Sequence, residues 1–115
     1  MTQVTIYKSG SDITKLICDG HTGYGVSGED IVCSALSSIV QTAVLGVVAV
    51  AGVNAQVKRD DNRGYLCLTI PKGISDAQRH DVNVILNTML CGVQDLYLGY
   101  SDFIELEVIE NEDVY

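Results

Sequence analysis

The stretch from residue 31 to residue 57 contains no charged side chain, and it constrains the fold more than any other feature. A run of this length is enough to cross a lipid bilayer. However, it is preceded by the acidic pair Glu29 and Asp30, where a membrane anchor is expected to carry basic residues. Polar residues also interrupt its first half: Ser34, Ser37, Ser38, Gln41 and Thr42. We therefore expect a helix buried in a soluble core, with no membrane as a partner.

Length and composition predict one folded domain covering residues 1 to 115. The chain is 47% hydrophobic, which is enough to form a core and too much for a disordered protein. The net charge of −8 argues against direct nucleic-acid binding, because phosphate contacts require clustered Lys and Arg. It weakly favours a basic partner, although acidity also serves solubility alone.

The four cysteines indicate a reducing compartment. Their spacings match no zinc or disulfide pattern, and residues 1 to 20 lack the basic start and apolar block of a signal peptide. We therefore expect reduced thiols and a cytoplasmic location. Away from the site described below, Cys18, Cys67 and Cys91 are predicted to be structural, and His80 is predicted to be exposed to solvent.

Hydrophobic periodicity predicts five strands and two long helices. Alternating β-forming residues predict strands at 3–9, 13–19, 54–60, 64–70 and 102–110. Apolar residues at three- and four-residue steps predict helices at 29–51 and 76–97, the second one preceded by a Ser75–Gln78 capping box. The predicted buried faces are Val32, Leu36, Ile39, Ala43, Val47 and Val50 on the first helix, and Val82, Ile85, Leu86, Met89, Val93 and Leu96 on the second.

The order ββαββαβ favours an α+β fold. We expect a two-layer α/β sandwich, in which the two helices pack on a mostly antiparallel five-stranded sheet. Because the two helices carry more apolar residues than one small core needs, part of their surface is expected to be covered by a second copy of the chain.

A glycine-rich loop separates His21 from Cys33, and this arrangement suggests a nucleophilic site. A cysteine attacks as its thiolate, a form that a helix N-terminus and a neighbouring imidazole both favour. His21 follows the second predicted strand, and Cys33 lies early in the first helix, whose start the sequence places between Ser27 and Asp30. A short loop that reverses the chain can bring the two together. The pair then suits acyl transfer, with oxyanion donors expected among the backbone N–H groups near the helix start, including that of Cys33.

Two other interpretations of this loop have less support in the sequence. A metal site made of Asp19, His21, Asp30 and Cys33 has no recognised spacing, and no metal or other cofactor is expected. The glycines at 23, 25 and 28 fit G-x-G-x-x-G, but the ribose-binding acid expected about 20 residues later is missing. A predicted hairpin, and not a parallel βαβ unit, also precedes the loop.

Two short motifs resemble the signature of the ribosomal-processing cysteine proteases, the Prp family. These motifs are "GH" at residues 20 and 21 and "DIVCSALS" at residues 30 to 37, joined by a loop that contains glycine. The length and the ββαββαβ order also match that family over the whole chain. Thr22 and Ser34 stand where the family often has Ala, and neither change removes a reacting group.

The resemblance implies a cysteine endopeptidase with His21 as general base and Cys33 as nucleophile. It implies removal of the N-terminal extension of a bacterial large-subunit ribosomal protein, the twenty-seventh of its series, after a hydrophobic stretch. It also implies a cytoplasmic homodimer that needs no metal. Asp30 is a candidate for orienting His21, and equally a helix cap. A mobile cover over the site is expected from the loop residues Thr22, Gly23, Tyr24, Gly25, Val26, Ser27 and Gly28.

Two hypotheses from other classes stay open at the level of sequence. One is a non-catalytic acidic module that docks on a basic ribosomal protein. The other is a thiol redox sensor, for which the sequence offers no obvious second cysteine to resolve an oxidised Cys33.

Overall fold

A computed structural model describes residues 1 to 20 and 27 to 110, with the backbone alone for residues 27 to 30. The strands are β1 (Thr2–Ser9), β2 (Asp12–Asp19), β3 (Gln56–Asp60), β4 (Tyr65–Thr69) and β5 (Ile104–Glu110). The α-helices are α1 (Ser27–Leu45), which continues as a π-helical turn over Gly46–Val50, and α2 (Asp76–Gly99). The predicted order ββαββαβ is confirmed.

The sheet has the strand order β3-β4-β2-β1-β5. Its hairpin-linked pairs β1–β2 and β3–β4 are antiparallel, as is the β2–β4 pair, whereas β5 runs parallel to β1. Strands β1 and β2 are therefore central, each with a neighbouring strand on both sides. The predicted α+β architecture, with two helices on a mostly antiparallel five-stranded sheet, is confirmed.

The core lies between the sheet and the two helices. Alternate residues of the central strands point into it, among them Val4 and Ile6 of β1 and Leu16 and Cys18 of β2. From β4 and the residue after it, Leu66, Leu68 and Ile70 join the core on one face, as the sequence predicts. Thr2 has the same parity as Val4 and Ile6, so its polar side chain is also buried. A polar group at a core position needs hydrogen-bond partners, and Thr2 finds them at the functional site.

The helices bury most of their predicted faces. In α2, Val82, Leu86, Met89 and Val93 are buried, and the Ser75–Gln78 capping box is present, with both hydrogen bonds at 3.1 Å. In the first helix the prediction for Val50 is wrong, because this side chain is 81% exposed. The reason is the π-helical turn, marked by the bond from Ala51 N–H to the Gly46 carbonyl at 2.9 Å. Its extra residue per turn rotates Val50 away from the face that holds Val47.

The outer side of the helix pair is apolar and exposed. Ile31–Val50 is the single segment among the described residues that is long and apolar enough to cross a membrane, and only a third of it is buried. Its exposed apolar residues include Ile31 and Leu45, and Val84 and Leu98 are exposed on α2. The expected burial of the first helix is therefore correct only for the face that packs on the sheet.

Candidate active site

Cys33 is the seventh residue of α1, and it lines a cleft of about 510 Å³ between that helix and the sheet. Its side chain is partly buried. Ser37 and Gln41 follow at four-residue steps on the same side of the helix and line the same cleft, with the Gln41 amide donating to the Ser37 hydroxyl at 2.7 Å. The cleft thus has a polar wall along α1 that begins at the thiol.

The helix start settles one of the alternatives left open by the sequence. Because α1 begins at Ser27, two residues before Glu29, Cys33 lies beyond its first turn, where the helix dipole acts weakly. The N–H of a seventh helical residue is also directed at the carbonyl four residues earlier. The expectation that the Cys33 N–H helps to bind an oxyanion stays a prediction, and the position of this residue within the helix argues against it.

Thr2 joins the thiol to the end of β2. Its Oγ1 atom lies 3.2 Å from Cys33 Sγ and 3.4 Å from the carbonyl oxygen of Gly20, to which it donates. Gly20 is the last described residue before the loop, and His21 follows it directly in the chain. Two hydrogen-bond steps thus connect the thiol to the residue next to the predicted base.

The end of β2 is held from the other side by the β3–β4 turn. The N–H of Gly20 donates to the Gly64 carbonyl at 3.2 Å, and the Arg63 guanidinium contacts the Asp19 carboxylate at 2.7 Å. The same guanidinium stacks over the ring of Tyr65 at 4.6 Å, and Asp19 raises the pKa of Arg63 through this hydrogen bond. These contacts fix the point from which the glycine-rich loop leaves the sheet.

Several predicted site residues lie outside the described part of the structure. His21 and the loop residues 22 to 26 belong to this group, and so do the side chains of Ser27 and Asp30. Their predicted roles as base, cover and orienting group stay predictions. The alternative metal site depends on His21 and Asp30 and is likewise untested; within the described residues no cluster of three or more His, Cys, Asp or Glu could hold a metal ion.

The other cysteines differ in their surroundings. Cys67 is buried, as predicted for a structural thiol, but Cys91 is exposed, so that prediction is wrong. Cys91 lies two residues beyond the buried Met89, on the opposite side of α2. His80 is exposed as predicted, and its ring lies 3.4 Å from the carboxylate of Asp81.

Cys18 is the second thiol that lines the cleft, which the sequence did not reveal. Burial, with smaller contributions from Cys33 and Asp19, raises the pKa of Cys18 to about 11. At neutral pH this thiol is therefore almost entirely protonated, and a protonated thiol is a poor attacking group for an oxidised Cys33. The geometry supplies a second cysteine for a redox sensor, but its protonation state argues against that role.

The comparisons with known proteins agree with this geometry. The family model described as cysteine protease Prp matches residues 1 to 105. The ribosomal processing cysteine protease Prp of Staphylococcus aureus is 28% identical over 103 residues, which cover 90% of this chain and 92% of the relative. The Bacillus subtilis protein of the same name is 24% identical, with coverage of 89% and 92%.

Solved structures show the same fold. The S. aureus protease, crystallised with a substrate peptide, superimposes with a TM-score of 0.82 at 26% identity, over 94% of this chain and 99% of that one. A Streptococcus mutans protein at 22% identity, with a TM-score of 0.85 and 96% coverage of each chain, supports the fold alone. Family membership favours the protease over the non-catalytic module and the redox sensor. The chain belongs to the Prp family of ribosomal-processing cysteine proteases.

Proposed function

We propose that this protease removes the N-terminal extension of a bacterial large-subunit ribosomal protein, the twenty-seventh of its series, with a Cys33–His21 dyad. One observation carries the proposal: Cys33 Sγ lies at the cleft wall and is connected through Thr2 to Gly20, the residue before His21. The names of the relatives supply the process, since the S. aureus and B. subtilis proteins are ribosomal processing proteases.

The chemistry is acyl transfer in two stages. His21 takes the proton of the Cys33 thiol, and the thiolate attacks the carbonyl carbon of the scissile peptide bond, forming a C–S bond. His21 then gives the proton to the leaving nitrogen as the C–N bond breaks, releasing the mature ribosomal protein. Water, deprotonated by His21, attacks the thioester, the C–S bond breaks, and the thiolate recovers its proton as the extension leaves.

The described part of the cleft suits a peptide that ends in apolar side chains. Its floor is formed by apolar residues from the helix and the sheet, namely Leu36, Val40 and Leu66. Its opposite rim is polar, with Arg59 and Asp61 from the β3–β4 hairpin. An apolar side chain before the scissile bond can occupy the floor while polar groups of the peptide face the rim. The net charge of −8 also favours the approach of a basic ribosomal protein.

The function is tested by cleavage of the purified precursor with its extension. We expect no cleavage by Cys33→Ala, and a turnover reduced by about two to four orders of magnitude in His21→Ala. Cys91→Ser is the matched control, since it replaces an exposed thiol distant from the cleft, and it is expected to cleave at the wild-type rate. Cleavage by Cys33→Ala at the wild-type rate would contradict the proposal.

We also propose that the protein is a cytoplasmic homodimer. Its two subunits contact each other through the outer side of the helix pair. This side contains an apolar groove of about 530 Å³ lined by Ile39, Ala43, Val84, Ile85 and Met89. A second copy can cover this groove, whereas exposure of so much apolar surface is unfavourable. Val84→Asp is expected to give monomers by light scattering. Val108→Asp, at a residue of similar exposure on β5, is expected to leave the dimer intact.

A further inference from the structure

Thr2 occupies a position that the reaction can use. It begins β1, where its N–H donates to the Phe103 carbonyl at 3.0 Å, and its side chain is 3% exposed. The β1–β2 register pairs Gln3 with Asp19, so its continuation places Thr2 opposite Gly20. From this position the Thr2 hydroxyl lies 3.2 Å from the thiol of Cys33.

The contact between the hydroxyl and the thiol suits both protonation states of the nucleophile. A hydroxyl has one proton to donate and two lone pairs that accept. With a neutral thiol, the S–H donates to Thr2 Oγ1 while the Thr2 O–H donates to the Gly20 carbonyl. With a thiolate, the O–H can turn to the sulfur. The bond that it then gives up is weak, because 3.4 Å is long for an O–H···O hydrogen bond.

The lateral position of Thr2 is fixed by close backbone packing. A Cβ atom built on Gly20 would lie 2.9 Å from Thr2 Cα and 2.4 Å from the Met1 carbonyl oxygen. No side chain fits between the two strands here, so Thr2 is held against the end of β2. The hydroxyl therefore meets the thiol from a rigid element and needs little ordering when charge develops on the sulfur.

We propose that Thr2 is a positioning residue for Cys33. The Thr2 hydroxyl orients the neutral Cys33 thiol, and it stabilises the Cys33 thiolate by donating a hydrogen bond to it. The proposal rests on the assignment of Cys33 as the nucleophile. Other titratable groups also line the cleft. Among the described residues these are Cys18 from β2, Arg59 from β3, Asp61 from the following turn and Tyr65 from β4. The test therefore changes the hydroxyl alone.

The test compares Thr2→Val, which removes the hydroxyl, with Thr2→Ser, which keeps it. Alkylation of Cys33 by iodoacetamide is followed across pH by mass spectrometry of the Cys33 peptide, and kcat and KM are measured on the precursor. Thr5→Val is the matched control, because Thr5 is buried on the same strand but on the opposite face of the sheet. If Thr2→Val does not fold, Thr2→Ala replaces it.

We expect Thr2→Val to move the midpoint of the Cys33 alkylation profile to higher pH by roughly one to two units, the range for a hydrogen bond to a charged group. Turnover is expected to fall about tenfold or more, with KM little changed. Thr2→Ser and Thr5→Val are expected to keep the wild-type midpoint. A wild-type midpoint and kcat in Thr2→Val would overturn the proposal while leaving the role of Cys33 intact, whereas cleavage by Cys33→Ala would overturn both.

Discussion

Gly20 and Thr2 are packed so closely that residue 20 has no room for a side chain. The Cβ of an alanine there would lie 2.4 Å from the Met1 carbonyl oxygen, and the φ angle of Gly20 is +130°, a conformation that other residues rarely adopt. The glycine of the "GH" motif is therefore required by the backbone contact between β1 and β2. It forms the end of the described chain directly before His21.

Gly20→Ala is expected to lower the free energy of unfolding by about 1–3 kcal/mol and to reduce cleavage more than this loss of stability explains. The strain comes from the unfavourable φ and from the displacement of the strand end next to His21. Urea denaturation and precursor cleavage measure the two effects. Gly73→Ala is the control, since a Cβ there meets no atom within 4 Å, and it is expected to change stability by less than about 0.5 kcal/mol. Equal stability of the two variants would contradict the account.

Cys18 is expected to make stability depend on alkaline pH. Its pKa is raised from 9.0 to about 11 in the folded protein, chiefly by burial. The folded state therefore binds the proton more tightly than the unfolded state does. This stabilisation is complete below pH 9 and is lost as the pH rises through 11, by roughly 2–3 kcal/mol.

The measurement is chemical denaturation of the wild type and of Cys18→Ala between pH 8 and pH 11. Cys18→Ala is expected to be less stable at pH 8 but to lose less stability as the pH rises, because it lacks the thiol whose pKa is raised by folding. Cys67→Ala controls for the loss of another buried thiol on the neighbouring strand β4. Parallel curves for wild type and Cys18→Ala would contradict the assignment.

The Ser75 cap is expected to affect stability without affecting the chemistry. Ser75 accepts a hydrogen bond from the Gln78 N–H, and the Gln78 side chain also donates to the Gly52 carbonyl at 3.1 Å, tying α2 to the end of the first helix. Ser75→Ala is expected to lower the free energy of unfolding by about 1 kcal/mol and to keep wild-type cleavage. Ser101→Ala, in an exposed turn, is the control for a serine outside a cap. A loss of turnover in folded Ser75→Ala would show a coupling that the structure does not suggest.

Local patterns were sufficient to predict most of the architecture. The alternation of β2 and β4 and the capping box at Ser75 are features of neighbouring residues, so the sequence reveals them directly. The prediction for Val50 failed because a π-helical turn changes the rotation per residue after Gly46, and composition carries no clear sign of such a turn.

Half of the site could be predicted and half could not. The "GH" and "DIVCSALS" motifs identify His21 and Cys33 as candidates, but the role of Thr2 depends on a contact across 31 positions of the chain. Only the strand register and the placement of α1 bring the two side chains together. One signal was available: Thr2 shares the parity of the core residues Val4 and Ile6, and a polar residue at a core position calls for a partner.

The most direct test of the central claim is the site of labelling by a peptide chloromethyl ketone that carries the last residues of the extension. A chloromethyl ketone alkylates the thiol that lies beside the bound carbonyl group, and exposed Cys91 provides an internal control for general reactivity. We predict that peptide mass spectrometry places the label on Cys33, far faster than on Cys91, and that His21→Ala slows it strongly. Labelling of Cys91 in preference to Cys33, or an unchanged rate in His21→Ala, would contradict a Cys33–His21 dyad.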